Sequence, residues 1–282
     1  MGRSRVTVGA SRCPRGPGQL LEAGLPSLAE HLVELHAAEE HQAREVERHQ
    51  RHADRRQPGQ VSAVVPCLLE VERIAEAERD LEDDGQRRAF SFANPPQVRG
   101  HIELHVRRVP GGRFTGQVFT QMKVGDTLRF EGPLGDFTLR EGESPILFVA
   151  GATGFAPIKS IVEDAFARGI TRPMRLYWGV RKRADLYALE LAEQWQREHA
   201  NFRVVPVLSE PDPDAAWSGR TGLVHEAMLA DFPDLTGHEV YVCGSVKMVE
   251  AAVPAFLAQG LGEGFCFSDA FVPSAPRPGA PG

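Results

Sequence analysis

The sequence predicts a chain of mixed class, α+β and then α/β. It reads as an irregular or helical segment over residues 1–86, a β-rich lobe over 87–142, a parallel-sheet lobe over 143–272 and a disordered tail over 273–282. Three observations predict this. The stretch 25–56 is crowded with Glu, Arg and His, and its apolar positions thin out after Val33 and Leu35. From Arg88 the texture changes to short apolar runs broken by Gly, Pro and Asp. From Pro145 apolar runs of strand length alternate with helix-length segments, the pattern of a parallel sheet with helices on both faces.

The elements follow in order. A helix over 25–56 has little to bury and is solvated or marginal. Its histidines, His31, His36, His41, His49 and His52, include an i, i+3 pair at His49 and His52, but no neighbouring carboxylate or cysteine pattern completes a metal shell. Residues 102–106 alternate like a half-buried strand and Gly111-Gly112 follows as a turn; 128–131 reads as another strand, ended by Gly132-Pro133-Leu134-Gly135. Beyond Pro145 the reading is strand 145–150, helix 156–169, strand 174–179, helix 187–198 and strand 202–208. A helix near 222–231, strand 239–243, helix 246–259 and a closing strand around 265–267 complete it.

Bulk properties exclude some functions. The net charge of -6 offers no basic field for a general nucleic-acid binder. No apolar run reaches the roughly 18 residues that span a bilayer, so no membrane association is expected. The cysteines, Cys13, Cys67, Cys243 and Cys266, have neither zinc-site nor iron–sulfur spacing. Their scarcity argues against a disulfide scaffold and for the reducing cytoplasm.

Two stretches bear chemistry. In Arg88-Ala89-Phe90-Ser91 the arginine offers a forked cation for a pyrophosphate or the electron-rich edge of a flavin. Phe90 suits the face of such a ring, and Ser91 can donate to its hydride-accepting nitrogen. Alone, these residues read more simply as an exposed strand with a surface arginine. Gly112, Phe114 and Thr115 lie in a stretch that serves either as a phosphate-facing loop or as a hairpin turn. Gly151, Thr153 and Gly154 follow a buried strand and lead into a helix whose first turn holds Pro157, a position where N–H groups favour anions. The spacing is not G-x-G-x-x-G, and a structural tight turn remains open. Cys243 and Gly244 end a strand of the α/β part, where such sheets bind ligands, although Cys243 is equally suited to filling a core. Asp269 and Phe271 precede the Pro-rich tail.

Taken together, residues from about 84 to 271 resemble the ferredoxin–NADP reductase superfamily, and most closely its oxygenase-reductase branch, including CDP-6-deoxy-glucoseen-type reductases. Arg88-x-Phe90-Ser91 is similar to the R-x-[YF]-S flavin motif. Gly151 to Pro157 is similar to the nicotinamide-side turn, and Tyr241-Val242-Cys243-Gly244 to the cysteine–glycine strand end. The resemblance implies a partial antiparallel β-barrel that binds FAD, over 87–142, followed by an NAD(P)-binding parallel sheet. It implies hydride transfer from NAD(P)H to FAD and onward electron transfer to a redox acceptor protein or a small-molecule acceptor. Ser91, Cys243 and Asp269 become the catalytic candidates, Cys243 steering the nicotinamide without a covalent role. The resemblance puts Arg88, Phe90, Ser91 and Phe271 on the flavin, His105 and Val106 beside its ring, and Gly112, Phe114 and Thr115 at its pyrophosphate. Gly151, Thr153, Gly154, Pro157 and Gly244 belong to the nicotinamide side, Arg181 and Asp185 to the adenosine ribose.

Two departures bear on this reading. No C-x4-C-x2-C iron–sulfur pattern is present, so no iron–sulfur cluster is expected in this chain. Residues 61–86 offer an apolar run at 61–69 and then Glu-rich text, without the barrel strands that the resemblance demands. The abrupt change of composition predicts that residues 1 to about 84 derive from a shifted reading frame or a wrong gene start, which translation of the DNA in the other frames tests. The competing readings are a remnant that binds nucleotide without redox activity, and a plain α/β binding domain with a disordered arm.

Overall fold

Strand β1 (Val64–Glu70) pairs antiparallel with β2 (His101–Arg107), Val64 opposite Arg107 and Glu70 opposite His101. The computed structural model describes residues 64–70, 88–122, 126, 133–213 and 216–272. All of these fall within one unit, Arg55–Gly282. The histidine-rich stretch 25–56, the expected strand at 128–131 and the tail at 273–282 lie outside the described residues. Strand β1 lies inside the stretch expected to be irregular or helical. An amphipathic strand such as β2 leaves a row of unpaired backbone groups, and the apolar run after residue 61 supplies a partner for it.

On the other side of β2 the chain returns through residues 88–94, where Phe92 forms an antiparallel bridge to Leu104 and Ala93 N–H donates to Glu103 O at 2.8 Å. Helix α1 (Arg113–Thr120) begins where the sequence left a hairpin turn open. Gly111 turns the backbone at φ +71°. Thr115 Oγ1 accepts from Val109 N–H at 3.1 Å, tying the first helical turn to the strand end. A hydroxyl at that offset closes a helix start better than a two-residue hairpin.

The remainder is a doubly wound sheet. Strands β3 (Ile146–Gly151), β4 (Met174–Val180), β5 (Phe202–Leu208), β6 (Arg220–Thr221), β7 (Glu239–Ser245) and β8 (Cys266–Phe271) are all parallel, in spatial order β6-β5-β4-β3-β7-β8. Helices α2 (Phe155–Ala167), α3 (Leu189–Glu198), α4 (Val224–Asp231) and α5 (Val246–Ala258) connect them. A parallel strand covered on both faces reads as a continuous apolar run, as Ile-Leu-Phe-Val-Ala does in β3. Ile146, Phe148 and Ala150 join one core with Phe155, Ile158 and Trp195 of α2 and α3. Leu147 and Val149 point the opposite way, into a second core with Met228 of α4 and Phe256 of α5. Strand β6 has two residues and no counterpart in the sequence reading.

This order decides where the site lies. The chain leaves β3 toward β4 and β5 on one side and returns on the other side as β7 and β8. The switch point therefore falls between β3 and β7, and a crevice opens at their carboxyl ends.

Candidate active site at the switch point

The carboxyl end of β3 bends sharply. Ala152 takes φ +49°, a conformation rare for a residue with a Cβ, and its carbonyl accepts from the Trp178 indole at 3.0 Å. A short turn over Ala152–Gly154 then delivers the chain into α2, with Pro157 buried in its first turn. Gly154 lies flat against β7: a Cβ there would stand 2.2 Å from Cys243 O and 3.0 Å from Gly244 N. Gly151 and Gly244 face each other across the switch point, a Cβ on Gly244 lying 3.2 Å from Gly151 Cα, and Met248 covers both. Thr153 lies in this turn, half-buried.

Strand β8 pairs in register with β7, setting Asp269 opposite Cys243 and Phe271 opposite Ser245. The Asp269 carboxylate collects two groups from far apart in sequence. Its Oδ2 accepts from Ser91 Oγ at 3.2 Å and lies 3.9 Å from Cys243 Sγ. The three catalytic candidates thus meet at one oxygen atom. Burial, and next the adjacent Asp269 carboxylate, push the Cys243 thiol far above its ordinary value, so it remains protonated at neutral pH.

The other candidates lie on β2, around the start of α1 and at the carboxyl end of β4. Arg88 stacks over Phe114, 5.3 Å from the ring centroid, and Phe90 lies 5.5 Å from the same ring. That cluster stands beside the start of α1, where Gly112 is the cap residue. His105 and Val106 are buried in β2. Arg181 and Asp185 follow β4 at its carboxyl end. Arg181 pairs with Glu210 at 2.8 Å, and the Asp185 carboxylate accepts from Lys182 N–H at 3.1 Å. Lys182 pairs with Asp212, and Arg220 with Asp231, so acids answer most of this basic loop.

Several residues escaped the sequence reading. Tyr187 Oη lies 2.7 Å from His105 Nδ1, and its ring edges onto Trp178 at 5.2 Å. Burial, with the charge of Glu103 adding to it, raises the phenol well above its ordinary value. Phe155 stacks on Trp178 at 4.1 Å. Lys159 forms ion pairs with Glu103 and Glu163, both at 2.9 Å. Glu103 would be raised by burial alone, but the His105 hydrogen bond and the Lys159 charge hold it at about 2. A signal existed for Lys159, the single charge among residues 155–162, which needs a partner when buried. Nothing local signalled Tyr187.

The donor set fits the two groups that the resemblance implies. Arg88, Phe90 and Ser91 supply a cation, an aromatic face and a hydroxyl. Beside them, a Cβ at Gly111 would meet nothing within 4 Å, leaving that backbone and the first-turn N–H groups of α1 open to a phosphate. At the other end, the Ala152–Gly154 turn leads straight into the first turn of α2, whose N–H groups favour an anion.

Residues 75–139 match the family model for an oxidoreductase FAD-binding domain, and residues 148–253 that for an oxidoreductase NAD-binding domain. The flavin-side match thus begins upstream of residue 84, where the resemblance read from the sequence starts. The CDP-6-deoxy-L-threo-D-glycero-4-hexulose-3-dehydrase reductase of Yersinia pestis is 44% identical over 214 residues, covering 76% of this chain and 64% of that protein. The reductase component DmpP of phenol 2-monooxygenase from Pseudomonas sp. is 40% identical over 68% of this chain and 55% of its own length. The chain therefore spans somewhat over half of the relatives it matches. Among solved structures, the Amycolatopsis cytochrome P450 reductase GcoB superposes with a TM-score of 0.65 at 36% identity, over 76% of this chain and 61% of that one. By its two domain matches, its relatives and its fold, the chain belongs to the ferredoxin reductase-like superfamily of FAD- and NAD-binding oxidoreductases.

Proposed function

We propose that this protein is an NAD(P)H-dependent flavin reductase that passes electrons to an iron–sulfur or oxygenase-type acceptor. The observation that carries the reading is the meeting of Ser91, Cys243 and Asp269 at one carboxylate oxygen, which joins the flavin-side motif to the switch-point crevice. FAD bound against Arg88, Phe90 and Ser91 would supply a two-electron acceptor that can release electrons singly. Ser91 presents its hydroxyl at the flavin edge, and Asp269 orients that hydroxyl. Cys243 keeps its proton on Sγ and limits how deeply a nicotinamide ring enters, a steric role without covalent chemistry. Gly112, Phe114 and Thr115 hold the flavin pyrophosphate, with His105 and Val106 flanking the ring and Phe271 packing near it. Gly151, Thr153, Gly154, Pro157 and Gly244 shape the turn and strand end on the nicotinamide side, and Arg181 and Asp185 take the ribose. On this reading the iron–sulfur centre belongs to the acceptor, which the lack of cluster spacing among the four cysteines supports. Free thiols at Cys243 and Cys266 accord with the cytoplasm.

Anaerobic rapid mixing tests the reading. Protein reconstituted with FAD is expected to be yellow and to bleach near the flavin band, at roughly 450 nm, with NADH or NADPH. A colourless protein, or a flavin that neither nucleotide bleaches, sinks it in favour of the redox-silent remnant.

A further inference from the structure

A buried chain of hydrogen bonds runs behind His105, and the proposed reduction does not itself call for it. Lys159 Nζ in α2 has three acceptors, Ala93 O at 3.1 Å and Glu103 Oε2 and Glu163 Oε2 at 2.9 Å, one for each N–H of an ammonium group. The second Glu103 oxygen, Oε1, lies 2.8 Å from His105 Nε2, and His105 Nδ1 lies 2.7 Å from Tyr187 Oη. An ionised carboxylate can only accept, so Nε2 carries a hydrogen. The neutral ring then leaves Nδ1 bare, and Tyr187 donates its O–H there.

We infer that Lys159 and Glu103 are positioning residues for the nucleotide crevice: they hold His105 as the Nε2–H tautomer, whose bare Nδ1 anchors the Tyr187 hydroxyl and so the aromatic wall near Cys243. The use of that wall rests on the redox reading; the direction of the hydrogen bonds does not. Residues Ala93, Glu103 and His105 come from the β1–β2 side, whereas Lys159 and Tyr187 come from the parallel-sheet side, so the chain registers one against the other. Tyr187 edges onto Phe155 at 6.0 Å as well as Trp178, and a loose phenol would free that stack. Among the described residues, Glu103 on its own strand and Tyr187 after β4 face His105. Lys159 and Glu163 of α2 stand behind Glu103, and Cys243 and Asp269 lie beyond Tyr187.

Long-range proton–nitrogen NMR on 15N-histidine-labelled protein at about pH 8, without nucleotide, reads the tautomer directly. The wild type is expected to carry its proton on Nε2 of His105. In Glu103→Gln, whose amide donates as well as accepts, both tautomers are expected. An Nδ1–H ring or an imidazolium in the wild type, or an unchanged spectrum in Glu103→Gln, overturns the inference. In rapid mixing at saturating nucleotide, Tyr187→Phe is expected to slow flavin bleaching about tenfold, the worth of one lost hydrogen bond, with nucleotide affinity within about twofold of wild type. Unchanged bleaching overturns the positioning role and leaves the redox reading standing. If the wild type never bleaches, the redox reading falls and the tautomer decides this proposal by itself. Should Glu103→Gln fail to fold, Tyr187→Phe and the wild-type spectrum still carry the test.

Discussion

Two residues of the β3–α2 turn respond to a single carbon in opposite ways. At Gly154 a Cβ would meet Cys243 O at 2.2 Å and Cys243 C at 2.6 Å, backbone atoms of a central strand that cannot rotate aside. Gly154→Ala is therefore expected to lose about 2 kcal/mol or more of stability in urea unfolding, the range of overpacked cores. Ala152 already carries a Cβ at φ +49°. Ala152→Gly removes that conflict, and a gain of about 0.5–1 kcal/mol is expected in the same assay. A loss at Ala152→Gly, or no loss at Gly154→Ala, would contradict this account of the turn. From the sequence, glycines in this turn were legible as a pattern. Which of them touches β7 was not, because the contact is with a residue nearly ninety positions away.

Elements were legible where their periodicity was strong. Helix α5 and strand β7 read correctly because the apolar run ends at a capping serine. Ser245 Oγ accepts from Met248 N–H at 3.3 Å, satisfying one of the four helix-start donors. Ser245→Ala is expected to cost about 1 kcal/mol, visible as a lower urea midpoint at constant slope. Helix α1 was missed because Gly-Gly reads as a turn until the Thr115 hydroxyl is seen reaching back to Val109. Strand β8 is longer than its apolar pattern indicates: six residues pair with β7, where three read as a strand. Its polar Ser268 and Asp269 look like a loop until β7 supplies the neighbouring ladder.

At the scale of the whole molecule, two buried charge clusters stand out among the described residues. At the amino end of the sheet Arg172 pairs with Glu239 at 2.5 Å, and Tyr241 donates to the same carboxylate at 2.7 Å. Arg172 also donates to Arg140 O, and Arg140 N–H donates to Tyr241 Oη, pinning the segment between the lobes onto the sheet. Arg172→Met strands a buried carboxylate and is expected to cost about 3–5 kcal/mol of global stability, with both lobes melting together. Retention of wild-type stability would show that the cluster is incidental. The second cluster gives a pH signature. Glu103 is held at about 2 against an ordinary 4.5, so the folded state binds fewer protons than the unfolded chain in between. Its contribution, on the order of 3 kcal/mol, is complete above about pH 4.5 and lost as pH falls toward 2. Glu103→Gln is expected to flatten the fall in stability over that window in pH-resolved urea melts; a profile parallel to wild type would refute the assignment.

The sequence by itself determined the order of strands and helices beyond Pro145, the two glycine-bearing turns and the pairing of a flavin-type motif with a nucleotide-type one. Those features are written in local periodicity and in residues that tolerate close backbone approach. Only the tertiary structure decided that Ser91, Cys243 and Asp269 share one carboxylate oxygen, that β1 completes a ladder with β2, and that Lys159, Glu103, His105 and Tyr187 form a single chain. Each of these joins residues far apart along the polypeptide. Such contacts arise from sheet register and the burial of opposed charges, which no short window of sequence contains.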